Sequence, residues 1–247
     1  MKNLPICLLC ICTIFCARIG FAQENEKYTD AWFMLLNNVK FNERWSAGNE
    51  LHWRCTDFLS TKEQLLIRPY LNFALQKTWV LTAGYTFIQS YPYTADALPR
   101  GKPEHNIWEQ MLLTHSIGNT NLSHRFRLEN RFQGLLSERA TGDFYVDHYT
   151  FSNRFRYRFT FRFPLNEAYF VHAFNELWIK MDKGLRYPNY DRNWLYLGLG
   201  RQIAKSGNIQ LAYMHQNVRR SAVQYEVHPT VQFTFQYDFD FSDARLD

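Results

Sequence analysis

Residues 151–163 read FSNRFRYRFTFRF, and few folds accommodate such a run. Phe151, Phe155, Tyr157, Phe159, Phe161 and Phe163 fall on odd positions. Ser152, Arg154, Arg156, Arg158, Thr160 and Arg162 fall on even ones. Successive side chains of a β-strand point to opposite faces, so this segment as a strand is aromatic on one side and cationic on the other. One face requires apolar surroundings; the other requires water or counter-charge.

The same period of two runs through the chain, while helical periodicity is scarce after Gln23. Alternation predicts strands over 31–41, 45–56, 64–76, 79–91, 105–117, 121–136, 147–163, 168–181, 193–204, 208–219 and 227–241. In 64–76, Leu65, Ile67, Leu71, Phe73 and Leu75 oppose Gln64, Arg68, Tyr70 and Asn72. In 121–136, Leu122, Phe126, Leu128 and Phe132 oppose Ser123, Arg125, Arg127, Glu129 and Arg131. Only 105–117 and 168–181 leave the facing open. Connections alternate in length as well. Tight ones (42–44, 76–78, 118–121, 164–167, 205–208) interleave with longer polar ones (57–63, 91–104, 137–144, 182–192, 219–226).

Two readings compete for such strands. A soluble sandwich would bury the aromatic face and hydrate the arginines. Soluble strands, however, usually run about 5–6 residues, far short of these segments. Membrane-crossing strands need about 9–11 residues, and Trp45, Trp79 and Tyr157 lie towards strand ends, where interfacial aromatic girdles sit. Aromatics make up 17% of the chain, yet the mean hydropathy is −0.40, which suits diluted alternation and not solid apolar spans. Short connections on one rim and long ones on the other fit an outer-membrane barrel. The expected fold is therefore an all-β antiparallel transmembrane β-barrel, with short periplasmic turns and longer extracellular loops. Eleven segments are readable, but bacterial single-chain barrels normally have an even number. About twelve strands are expected, within a range of ten to twelve.

Magnitude sets the orientation. An arginine on the lipid face near the midplane costs roughly 2–4 kcal/mol, and several on one strand would rival the ~5–15 kcal/mol that holds a fold together. The arginine face must therefore look into the lumen. The expected lumen charge network comprises Arg54, Arg68, Arg125, Arg127, Arg131, Arg154, Arg156, Arg158 and Arg162, with Glu50, Glu129 and Glu176 as carboxylate partners. Bidentate, charge-assisted pairs are the arrangement such a wall requires. It serves either as structural packing or as an anion-attracting lining.

The first 22 residues read as an export signal. Lys2 precedes the apolar stretch LPICLLCICTIFCA, and GFA supplies small residues for cleavage after Ala22. Residues 23–247 then form one barrel domain. Cys7, Cys10, Cys12 and Cys16 leave with the signal, so Cys55 has no partner for a disulfide. The net charge of +5 is mild and spread along the chain.

SHRFRLENRF (123–132), NRFRYRFTFRFPL (153–165), FNELWIK (174–180), NWLYLGLGRQI…GNIQLAYMHQ (193–216) and PTVQFTFQYDF (229–239) together resemble the bacterial family called domain of unknown function 2490. DAWFMLLNNVKFNERWSAGNEL (30–51) extends the likeness over nearly the whole mature chain. The resemblance implies an outer-membrane β-barrel of Gram-negative bacteria and implies no activity. The tail SDARLD (242–247) departs from ordinary barrels, whose assembly signal usually ends on an aromatic such as Phe241.

Other chemistries find less support. Tyr213, His215, Gln216 and Asn217 resemble the active-site stretch of outer-membrane phospholipase A, but no serine follows Gln216, and Ser221 is out of pattern. A nucleophilic hydroxyl next to a base is what that chemistry needs. His105, His115 and His124 lack metal-ligand spacing, and no Gly-rich phosphate loop or HExxH is present. The expected function is a structural barrel or narrow passive pore, non-enzymatic and monomeric. No cofactor, metal or nucleic acid is expected. Outer-membrane lipid and the barrel-assembly machinery are the expected partners. A lipid-acting barrel enzyme and a soluble exported β-sandwich binding protein remain the alternatives.

Overall fold

A computed structural model of the chain describes residues 24–93, 99–181, 190–221 and 224–242. The expected signal segment with its cysteines and the last five residues lie outside them. The described residues contain no helix. They form β1 (Glu24–Lys27), β2 (Asp30–Lys40), β3 (Trp45–Thr56), β4 (Thr61–Gln76), β5 (Trp79–Ser90), β6 (Lys102–Ile117), β7 (Thr120–Glu138), β8 (Phe144–Pro164), β9 (Tyr169–Lys180), β10 (Tyr190–Ala204), β11 (Gly207–Arg219) and β12 (Gln224–Asp240). Each of the eleven segments expected from alternation is present, most of them extended by a few residues.

Every sequential pair from β2 to β12 is antiparallel, and β12 returns to pair with β2, so one sheet closes on itself. A closed single sheet sets aside the sandwich, which needs two. The closing pair is parallel, with Asp30 opposite Thr230 and Lys40 opposite Asp240. Short β1 pairs with the same edge of β12 in the same register, Glu24 opposite Gln224 and Lys27 opposite Val227. Thus β1 and β2 occupy one place in the wall, which has eleven strands around it. The expected count of about twelve is corrected by this closure. In an up-and-down meander an odd number makes the first and last strands run the same way, and a parallel seam accommodates it. The interruption at Tyr28–Thr29 lies opposite Pro229, which has no N–H to give to the ladder.

Polarity is inverted relative to a water-soluble core. Glu176, Glu129, Arg127 and Arg156 are between 0% and 2% exposed, whereas Leu197 and Leu211 are 60% and 61% exposed. Phe33, Leu71, Phe151 and Phe233 are likewise on the outer face. Short turns and long loops segregate to opposite rims. Residues 41–44, 77–78, 118–119, 165–168 and 205–206 form one rim; among the described residues 57–60, 91–93, 99–101, 139–143, 181 and 220–221 belong to the other. Glycine opens space for large rings inside. A Cβ on Gly84 would collide with the Trp108 indole, and one on Gly200 with the Phe170 ring.

Candidate functional site

The lumen wall is built where β7, β8 and β9 run side by side. Across β7 and β8, Arg125 stands opposite Arg158 and Arg127 opposite Arg156. Like charges directly across a ladder repel, so the arrangement needs acid from the next strand. Glu176 on β9 supplies it, opposite Arg158. Its carboxylate accepts from Arg125 Nη2 at 2.6 Å, Arg156 Nε at 2.9 Å and Arg158 Nη2 at 2.6 Å. Glu129 accepts from Arg154 Nη2 at 2.7 Å and from Arg156 Nη1 at 2.6 Å. Arg156 therefore bridges the two buried carboxylates.

The rest of the interior follows the same chemistry with other acids. Arg68 donates to Glu50 at 2.7 Å and to Thr86 at 2.9 Å. Arg131 makes a two-pronged pair with Glu104, at 2.7 and 2.8 Å. Arg154 also reaches Asp191 at 3.4 Å, an acid shared with Lys180 and Arg192. Alternation alone did not identify Glu104 or Asp191 as partners. Glu104 falls just before the segment that begins at 105, and Asp191 falls in what reads as a loop.

Three expected members are in the lumen without an acid in ion-pair contact among the described residues. Arg54 has no carboxylate within ion-pair distance among the described residues. Its β4 neighbour is Gln64, which accepts its Nη1 at 2.8 Å. Arg162 stacks 3.7 Å over the ring of Phe170, and its β9 neighbour is His172. Both belong to the arginine wall but not to its ion pairs. Arg127 is similar: Nε and Nη2 both donate to Gln110 Oε1, at 3.0 and 2.8 Å, and no carboxylate pairs with it.

Aromatic rings cover the guanidinium planes. Arg156 lies 3.5 Å over Trp178, Arg158 3.8 Å over Phe174, Arg54 3.7 Å over Trp32 and Arg127 3.9 Å over Trp108. Trp32 meets Trp194 edge-on at 5.5 Å, although β12 and β11 separate their strands. At that level side chains from strands three places apart meet inside the bore. A cavity of about 570 Å³ lies on the long-loop side, and one of about 430 Å³ opens at the short-turn rim. Between them is a chamber of about 190 Å³. Trp32 and Arg54 line both the chamber and the long-loop cavity. Arg125 and Glu50 line both the chamber and the short-turn cavity.

Residues 29–227 match the family described as protein of unknown function, DUF2490. The chain belongs to that family. No curated protein matches it. Among solved structures, this DUF2490 barrel is similar to the NanC porin in a rhombohedral crystal form, at 10% identity and a TM-score of 0.46, covering 80% of this chain and 90% of that one. It is also similar to the translocator domain of the autotransporter NalP from Neisseria meningitidis, at 12% identity and a TM-score of 0.45, covering 76% of this chain and 72% of that one.

The remaining sequence candidates of this DUF2490 chain divide between the faces. Tyr213 is on the outer face, with His215 and Asn217 on the same side of β11, while Gln216 is buried inside and hydrogen-bonds Thr230 at 2.7 Å. Ser221 lies beyond the end of β11. Among the described residues no group of three or more His, Cys, Asp or Glu could hold a metal ion.

Proposed function

We propose that the protein is an outer-membrane β-barrel whose bore is closed at mid-height by its own side chains, a sealed barrel and not an open diffusion pore. The observation that carries the membrane assignment is the inverted polarity: charged groups enclosed, and a continuous belt of Leu, Ile and Phe outside. Contiguous apolar surface beyond a few hundred Å² is rare on soluble monomers. A closed sheet is also what hydrocarbon demands of strands, because an open edge finds no water there. Support for closure comes from the Trp32–Trp194 contact and from Arg54 stacked beside it.

The test is fractionation followed by planar-bilayer recording. The full chain is expected with the outer membrane and migrates faster on a gel before boiling than after. Purified protein is expected to give no steady conductance, and the double variant Trp32→Ala, Arg54→Ala to conduct. Recovery in the soluble periplasmic fraction would overturn the membrane assignment. A steady open level from the unmodified protein would overturn the sealed bore. No catalytic role is proposed.

A further inference from the structure

We propose that the central chamber binds a small organic anion with a flat apolar body, its charge received by Arg54 and Arg125 and its body by the aromatic wall of Trp32 and Trp194. The inference builds on the sealed, charge-lined bore proposed above and adds an occupant.

The first observation is an excess of positive charge. Arg54, Arg68, Arg125, Arg156 and Arg158 all line the chamber, and Glu50 is the one carboxylate among its lining residues. Glu129 and Glu176 help from the wall, but Glu176 is divided among three arginines and Glu129 between two. Arg54 pairs with none. Glu63 lines the long-loop cavity beside Arg54 without touching it, and a cation with no acid in contact in a narrow enclosed space is costly; a bound anion lowers that cost.

Unused donors are the second observation. Nε of Arg54 and Nε of Arg125 are buried without any acceptor. A guanidinium carries five N–H donors, and the hydrogen bond that Arg125 makes is to Glu176 alone. A buried donor left unpaired costs about 1–3 kcal/mol, more when it is charged. A carboxylate presents oxygens in the fork geometry that guanidinium groups match.

Size and shape supply the third. The chamber is about 190 Å³, smaller than the ~300–1,000 Å³ usual for drug-sized ligands. One ring with one acid fits that scale; an oligosaccharide or peptide does not. Trp32, Phe174, Trp194 and Tyr196 are all 7% exposed or less and give the chamber ring surface beside its cations, with Arg54 stacked on Trp32 and Arg158 on Phe174. Inorganic anions would use only half of that surface. Entry is from the short-turn cavity, with which the chamber shares Arg125.

The experiment titrates the detergent-purified full chain with benzoate, benzamide, acetate and inorganic phosphate, reading tryptophan fluorescence and calorimetric heat. Benzoate is expected to bind saturably. Benzamide, its uncharged counterpart, and acetate, which lacks the ring, are expected to bind at least tenfold more weakly. Arg54→Gln and Arg125→Gln are each expected to weaken benzoate at least tenfold. Neither strips a carboxylate of its last partner, since Glu176 keeps Arg156 and Arg158. Equal binding of benzoate and benzamide overturns recognition of charge. Phosphate or acetate binding as tightly as benzoate overturns the apolar body. No saturable benzoate binding to protein that still shows heat-modifiable migration overturns the site while leaving the barrel intact. Should a variant not fold, the ligand series on the unmodified protein decides.

Discussion

Arg156 and Trp178 stand directly opposite one another across β8 and β9, the guanidinium carbon 3.5 Å from the indole ring centroid. The indole covers a cation that also joins Glu129 to Glu176, so charge pairing and ring stacking meet in one side chain. Cation–π contacts of this kind contribute about 0.5 kcal/mol at exposed sites and 2 or more when desolvated. Trp178→Phe keeps a ring face beneath Arg156, whereas Trp178→Leu keeps only apolar volume. The leucine variant is expected to be less stable than the phenylalanine variant by about 1–2 kcal/mol, read from urea unfolding in detergent. Equal stability would show that the indole acts as filler.

Glu176 is the acid on which three arginines converge. Glu176→Gln preserves shape and leaves Arg125 and Arg158 without a carboxylate partner. Breaking a buried ion pair on one side costs about 3–5 kcal/mol. A loss of that size is expected, with reduced yield of the folded, heat-modifiable form. Glu43→Gln, at an exposed turn, is the control and is expected to change nothing measurable.

The outer face offers a test of what surrounds it. Leu197 is in the middle of β10 and 60% exposed. On a water-facing surface Leu197→Arg would change stability within about ±0.5 kcal/mol. In hydrocarbon near the midplane it costs about 2–4 kcal/mol. Unfolding from lipid vesicles is expected to show the larger cost. The smaller one would argue that water bathes this face.

The parallel closure predicts a specific cross-link. Phe33 and Phe233 are ladder partners on the outer face of β2 and β12. In a Cys55→Ala background, Phe33→Cys with Phe233→Cys is expected to form a disulfide on mild oxidation. Phe33→Cys with Tyr237→Cys is displaced by four residues, about 13 Å along the strand, and is expected to remain reduced. Efficient bridging of the second pair would mean another register or an antiparallel closure.

The strand plan was legible because alternation states both period and facing. It was clearest where arginine marked one face, as in 153–163, and obscure in β9. There Phe170, Phe174 and Trp178 point inward while Val171, Ala173 and Leu177 take the other side, so both faces read as apolar. The inward rings are platforms for arginines on the neighbouring strand, a role visible only once register is known. Glu50 and Glu129 were readable as partners because each lies on a polar strand face; Glu176 was readable only as an acid on another strand, since its face of β9 is otherwise mostly aromatic. Arg54 and Arg162 look equivalent to the other arginines in sequence, and only Gln64 and His172 opposite them show why no acid answers. The strand number was misjudged because evenness is a habit of related barrels and not a requirement of the ladder.

That seam also bears on how the molecule comes together. Its contacts join positions 200 apart in the chain, Asp30 with Thr230 and each pair after it, whereas every other seam joins neighbours in sequence. Loop-closure entropy makes long-range pairing the slow step. The ring therefore shuts last, after the tenth hairpin partner is laid down, and until then β2 presents a bare edge for β12 to find.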